Sequence, residues 1–319
     1  MGRISPVLLL ALALSGCGTG GVVLGTPGEY LFIANDQLVT PGERTWLRAR
    51  LQGGDLLSDR PGHTVMFYRD GSLHGASVTD ADGVARLHFT PSAKGDYVFE
   101  ARVSPVGLTS PPGPVPSLLI ACRPHDEPIL VVDIDRTLVE SGFVQVLFGE
   151  PEPLEDSARV MRRLAKEFTI VYLTHRPEYF DPVSRLWLCE HTYPAGPVLF
   201  ADIKGFVKGS EEYKTATLAE LSRRFTNIRI GIGDLITDVC AYHQAGASGY
   251  LILHPQLMEK MELLELSREV EQLPPSVQVV TSWREIERGI FDGDRFAPEE
   301  MAGLLRRQAR AMDDDQNRP

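Results

Sequence analysis

Three apolar runs in the second half of the chain each stop at acidic or hydroxyl-bearing residues, and that shared ending restricts the fold more than any other feature of the 319 residues. Ile129-Leu130-Val131-Val132 ends in Asp133-Ile134-Asp135-Arg136-Thr137, and Phe168-Thr169-Ile170-Val171-Tyr172-Leu173 ends in Thr174-His175-Arg176. Ile228-Arg229-Ile230-Gly231-Ile232 ends in Gly233-Asp234, with Asp238 shortly after. Short runs rich in β-branched residues read as strands buried on both faces, the kind found in parallel sheets covered by helices. The carboxyl ends of such strands form one crevice, so residues far apart in sequence meet there.

Strand alternation sends Asp133 and Asp135 to the same side. Two ionised carboxylates about 4 Å apart repel by on the order of 4 kcal/mol at an effective dielectric near 20. The pair therefore calls for a bound cation, a shared proton or a neighbouring lysine. All three occur where one carboxylate attacks phosphorus while a metal neutralises the developing charge. Taken singly, each residue has a plainer reading: solvated acids in a turn for the pair, a strand-end cap for Thr174, and a helix N-cap and first-turn acid for Asp234 and Asp238. Between the second and third runs, Tyr213 to Leu221 has a helical pattern with Lys214 near its start, placed to reach the same crevice. Lys204 and Lys208 compete for that place, their plain reading being solvated loop charge. His175 and Arg176 lie beside the site, as substrate contacts or as surface residues.

The order of these motifs from about Pro128 to Leu253 resembles the haloacid dehalogenase superfamily of aspartate-nucleophile phosphatases. Within it the chain looks most like the catalytic domain of lipin-type phosphatidate phosphatases. The phrases that carry this likeness are Tyr193-Pro194-Ala195-Gly196-Pro197-Val198-Leu199, Tyr213-Lys214, Gly233-Asp234-Leu235-Ile236-Thr237-Asp238-Val239-Cys240-Ala241-Tyr242 and Ala245-Gly246. Arg136 departs from the lipin-type pattern, which usually carries glycine there. The resemblance implies a Rossmann-like α/β fold in which Asp133 attacks phosphorus and Asp135 serves as general acid and then base. It also implies Thr174 and Lys214 on the phosphoryl oxygens. The implied cofactor is Mg²⁺, held by Asp133, the main-chain carbonyl of Asp135 and Asp234, with Asp238 orienting its waters or ligating directly.

The interval from Asp135 to Thr174 is largely used by one predicted helix, on which Ala158, Met161, Leu164, Ala165 and Phe168 follow helical spacing. That leaves a loop from about Val139 to Pro153 and no room for a folded lid, so the enzyme is expected to be capless or nearly so. Ahead of it, residues 29–122 show short alternating runs at 30–33, 45–51, 64–68, 85–89 and 96–103, separated by turns such as Arg69-Asp70-Gly71 and Asp80-Ala81-Asp82-Gly83. This reads as an antiparallel β-sandwich, and Thr79 to Phe89 resembles bacterial immunoglobulin-like modules. Asp80 and Asp82 are read as a hairpin turn rather than a Ca²⁺ site.

Arg3 followed by the apolar run Val7 to Leu14 is too short to span a bilayer and reads as a secretory signal. Leu14-Ser15-Gly16-Cys17 resembles the bacterial lipobox, which implies cleavage before Cys17, its lipidation and a lipid anchor in the bacterial cell envelope, at the outer membrane or the outer face of the inner membrane. The expected division is 1–16 lipoprotein signal peptide, 17–28 tether, 29–122 immunoglobulin-like sandwich, 123–295 phosphatase domain, and 296–319 C-terminal helix and disordered tail. Val277 to Val280 followed by Trp283 to Ile290 reads as a last strand and helix. The formal net charge of −11 excludes bulk nucleic-acid binding. Cys122, Cys189 and Cys240 match no zinc spacing and read as buried thiols or one disulfide. Three functions fit: a membrane-anchored Mg²⁺-dependent phosphomonoester hydrolase acting on phosphatidate or another phospholipid, the same chemistry on soluble periplasmic esters such as nucleotides, or an idle binding lipoprotein.

Overall fold

A computed structural model describes residues 30–53, 58–109, 114–140 and 151–316. The signal, Cys17 and the tether lie outside these residues, as do parts of the proline-rich stretch before Pro116 and of the loop after Val139. The described residues divide into two compact units, one holding the residues up to Arg123 together with Glu178–Ser184, the other holding the remaining residues from Pro124 onward.

The first unit is an antiparallel β-sandwich. One sheet pairs β1 (Tyr30–Ala34), β4 (Ser58–Asp59) and β7 (Val84–Phe89) with β3 (Thr45–Gly53). The other runs in the order β2 (Gln37–Val39), β9 (Ser117–Cys122), β8 (Gly95–Val103), β5 (Thr64–Arg69), β6 (Ser72–Val78), with β2 and β9 its parallel pair. Alternation buries Leu47, Ala49 and Leu51 from one sheet against Phe67, Phe99, Ala101 and Ile120 from the other. Asp70 and Gly71 both take positive φ, 51° and 75°, which turns β5 back into β6. The Asp80 carboxylate accepts from the main-chain N–H groups of Asp82 and Val84 and pairs with Arg86, so it is spent on its own turn.

The second unit carries a six-stranded parallel sheet in the order β12 (Val198–Ala201), β11 (Thr169–Pro177), β10 (Ile129–Val132), β13 (Ile228–Gly233), β14 (Ser248–Ile252), β15 (Val277–Val280). Every residue of β10 is buried, as a central strand covered on both faces requires. The helices are α1 (Ser157–Leu164), α2 (Asp181–Glu190), α3 (Ile203–Lys208), α4 (Ser210–Arg224), α5 (Ile236–Gln244), α6 (Lys260–Val270), α7 (Trp283–Phe291) and α8 (Pro298–Gln316). Helix α1 buries Val160, Met161 and Leu164 and stops at Leu164, not at Phe168 as the periodicity suggests, because Thr169 must already be extended to pair with Ile129. Helix α8 runs through Gln316, so most of the 296–319 segment expected as C-terminal helix and tail is helical in its backbone. The described residues 151–168 hold α1 and no other helix or strand between the first two sheet strands of this unit. Cys122, Cys189 and Cys240 are free thiols, Cys122 buried and Cys189 exposed.

Close packing of α5 on β13 depends on a missing side chain. A Cβ at Gly231 would lie 2.0 Å from Tyr242 Cγ, and the Tyr242 hydroxyl donates to the Ile232 carbonyl at 3.2 Å. Backbone on one side and a fully buried ring on the other leave no room to yield. Gly231→Ala should therefore cost on the order of 3 kcal/mol or more in urea unfolding, whereas Tyr242→Phe should cost about 1 kcal/mol for one lost hydrogen bond.

Candidate active site

Strand β10 is the point at which the sheet order reverses: the chain goes from it to β11 on one side and later to β13 on the other. Asp133 follows β10 directly, and its main-chain N–H donates to the Ile232 carbonyl at 3.0 Å. Asp234 follows β13, Asp238 sits in the first turn of α5, and Lys214 lies one turn into α4. The turn between β13 and α5 can tighten because residue 233 is glycine; a Cβ there would come within 2.6 Å of Asp238 Oδ2.

These elements bring four charges together. Lys214 Nζ donates to Asp238 Oδ1 at 2.8 Å and lies 3.1 Å from Asp133 Oδ2. Carboxylate oxygens of Asp133, Asp234 and Asp238 all lie within 4.8 Å of one another. Asp133, Asp238 and Lys214 are buried. Desolvation raises the Asp133 carboxyl to about 7, with Lys214 opposing and Asp238 and Asp135 adding to the rise. Desolvation and then Asp133 raise Asp234 to about 8. Lys214 is held above the ordinary lysine range: burial works against its charge, but Asp133 and Asp238 outweigh it. Three carboxylates against one ammonium leave a formal excess of two negative charges. Asp238 Oδ2 is buried and has no hydrogen-bond partner among the described residues. An all-oxygen donor set with two uncompensated charges suits a hard divalent cation such as Mg²⁺.

Asp135 is engaged elsewhere. Arg176 Nε and Nη2 donate to its two carboxylate oxygens, each at 2.9 Å, in a bidentate pair. Arg176 is buried, lies outside the cleft lining and spends its guanidinium on Asp135. Thr174 is likewise buried behind the lining, its Oγ1 accepting from the Arg176 main-chain N–H at 3.2 Å. His175 does reach the cleft, its ring stacked on Phe206 at 5.0 Å, and burial lowers its pKa. Of the competing lysines, Lys204 and Lys208 are exposed on α3, and Lys208 pairs with Glu212. The cleft is open, about 360 Å³, and is lined by Asp133, Asp135, Arg136, His175, Ser210, Lys214, Asp234 and Leu235.

Two contacts here had no sequence signal. His254 Nε2 donates to the Arg136 carbonyl at 2.7 Å, and Trp283 Nε1 donates to the Thr137 carbonyl at 2.8 Å. They pin a turn in which Arg136 has φ 51°, a left-handed conformation that costs a non-glycine residue roughly 1–2 kcal/mol. The glycine usual at this position in lipin-type motifs avoids that cost.

Residues 130–252 match the family model for the LNS2 domain of PITM 1-3. This segment is a haloacid dehalogenase-like phosphatase domain. No curated protein matches the chain significantly. Solved structures similar to it include the CARDB domain of PF1109 from Pyrococcus furiosus, at 15% identity over 30% of this chain and 94% of that one, with a TM-score of 0.23. The Pnkp1/Rnl/Hen1 RNA repair complex is similar at 13% identity over 40% and 43%, with a TM-score of 0.36. The D00-D0 domain of Intimin is similar at 13% identity over 32% and 51%, with a TM-score of 0.25.

The fork from Arg176 fixes both oxygens of Asp135, which a lysine cannot do. Arg176→Lys should lower kcat of phosphatase turnover by about tenfold or more through misorientation of Asp135, with KM little changed; a raised KM at unchanged kcat would instead place Arg176 on the substrate. A second expectation concerns pH. Asp133 and Asp234 bind protons more tightly in the native state than in the unfolded chain, where aspartate titrates near 4. With chelator present, this site's contribution to stability is therefore largest below about pH 4 and is lost as pH rises towards about 8. Thermal unfolding in chelator should show Tm falling across that window, and Asp234→Asn should remove roughly half of the slope.

Proposed function

We propose that the chain is a Mg²⁺-dependent phosphomonoester hydrolase that works through an aspartyl-phosphate, and that it acts on a phosphate ester presented at a membrane surface, with phosphatidate the first candidate. The observation that carries this reading is the buried cluster of Asp133, Asp234 and Asp238 closed by one lysine. Asp133, Asp234, Asp238 and the main-chain carbonyl of Asp135 would hold Mg²⁺, which would supply charge neutralisation at the phosphoryl oxygens.

One Asp133 oxygen attacks phosphorus as the bond to the leaving oxygen breaks, and Asp135, entering this step in its protonated form, gives that oxygen its proton and is left as the carboxylate. Lys214, 3.1 Å from Asp133, opposes the rise that burial gives the nucleophile's carboxyl and sits ready for a phosphoryl oxygen. Water then attacks the aspartyl-phosphate, Asp135 takes its proton, and phosphate leaves with Asp133 restored. Arg176 holds the Asp135 carboxylate in place for both transfers.

An open cleft without a covering domain among the described residues suits a bulky or surface-presented ester. The LNS2 match and the lipin-like phrases favour a phospholipid. Lipidation of Cys17, which rests on sequence alone, would concentrate the enzyme at the surface bearing such a substrate. No helix among the described residues is long and apolar enough to cross a membrane. The second reading, soluble esters such as nucleotides, is favoured by a lining in which Leu235 is the one apolar side chain. An idle binding lipoprotein has no use for three clustered carboxylates, two of them buried, around one buried lysine.

The test is kcat/KM for phosphatidate in mixed micelles, a soluble short-chain analogue and a nucleotide monophosphate, with wild type and Asp133→Asn, in Mg²⁺ and in chelator. Asp133→Asn should lose about 10³-fold or more with the fold retained, and chelator should abolish turnover. A variant keeping about a tenth of wild-type turnover removes Asp133 from the nucleophile's role. A nucleotide preference of about tenfold or more overturns the lipid reading and leaves the hydrolase standing.

A further inference from the structure

The acids that line the cleft are engaged with one another, with Lys214 or with Arg176, an excess of two negative charges remaining on the Lys214 cluster, whereas one lining guanidinium stands apart. Asp133 and Asp234 belong to the Lys214 cluster, and Asp135 is held by Arg176. Arg136 lines the same cleft, is exposed, and pairs with no carboxylate among the described residues. Its backbone sits in the left-handed region at φ 51°, where glycine would be free of strain. The peptide units that follow it are clamped, the Arg136 carbonyl by His254 and the Thr137 carbonyl by Trp283. The turn is thus held by its surroundings, and what arginine adds to it is a guanidinium at the cleft mouth. Backbone strain retained beside reacting groups is a pointer to function.

Arg136 directly follows Asp135, the residue assigned to the leaving oxygen, and both line the same cleft. We propose that Arg136 is a specificity residue that binds a second anionic group, a phosphate or phosphodiester, carried by the leaving group of the phosphomonoester. This inference rests on the phosphatase reading and shifts its substrate class from phosphatidate to an ester whose leaving group is anionic. A guanidinium meets a phosphate oxygen pair with its planar fork. Phosphatidate, whose leaving group is a neutral diacylglycerol, would leave that fork unused. The same chemistry is met by a soluble bisphosphate and by a phospholipid whose headgroup carries a terminal phosphate beyond its phosphodiester.

The experiment uses two matched pairs: glycerol 3-phosphate against glycerol 1,3-bisphosphate in solution, and phosphatidate against phosphatidylglycerol bearing a terminal phosphate in mixed micelles. The readout is the ratio of kcat/KM for the anionic over the neutral leaving group, in wild type, Arg136→Gly and Arg136→Lys, with thermal unfolding of each variant. Wild type should favour the anionic member of at least one pair by about tenfold, in line with a charge-assisted contact. Arg136→Gly should bring that ratio near unity with Tm unchanged or raised, and Arg136→Lys should keep part of it. The pair in which the preference appears names the source, soluble or lipid. A wild-type ratio near unity in both pairs, or an equal loss on both members in Arg136→Gly, overturns the inference and leaves the phosphatase reading intact. Hydrolysis of none of the four esters by wild type in Mg²⁺ overturns both.

Discussion

Lys214 stands between Asp133 and Asp238, and the arrangement of the second unit follows from keeping that ammonium between those two carboxylates. Carboxylates out of water are tolerated only when paired, because the uncompensated charge costs several kcal/mol. The ammonium that compensates them comes from α4, one turn in, while the acids come from the ends of β10 and the start of α5. Three separate elements must therefore meet at one end of the sheet. Gly233 lets Asp238 close in, and Gly231 lets the helix that carries it lie against β13. The remaining excess of negative charge is what gives the cluster its demand for a divalent cation.

Around this buried set the two arginines of the site divide the work. Arg176 spends its guanidinium on Asp135, so that the carboxylate has one orientation before any substrate arrives. Arg136 is the opposite case, an exposed cation on a backbone conformation that does not suit it, kept there by His254 and Trp283. Pinned carbonyls on two successive residues explain how the turn keeps its shape without glycine. Placement rather than charge distinguishes the two, since both lie within a few residues of the motif carboxylates and threonine.

Much of the fold is legible in the sequence where a strand is fully buried or cleanly alternating. β10, β11, β13 and β15 are apolar runs, and β3, β5 and β8 alternate, so their places can be read directly. β6 is mostly exposed and β2 is three residues long, so neither carries a periodic signal. β14 begins with Ser248-Gly249, a turn-like start, although four of its five residues are buried. β9 is hidden by the prolines ahead of it. The length of α1 is misread because Phe168 continues the helical spacing while the sheet needs an extended chain from Thr169.

For the site, the ends of the apolar runs name Asp133, Asp135, Thr174 and Asp234, because strand ends in a parallel sheet converge whatever lies between them. Sequence also determines that Lys214 stands near the start of a helix. Only the tertiary structure decides between Lys214, Lys204 and Lys208, since three flexible cations in one stretch differ by which helix face meets the carboxylates. It alone pairs Arg176 with Asp135, puts Thr174 behind the lining and brings His254 and Trp283 onto the motif turn. The physical reason is the same in each case: burial and pairing of a polar group depend on what other elements of the chain pack against it, and partners 24 to 146 positions away leave no local trace.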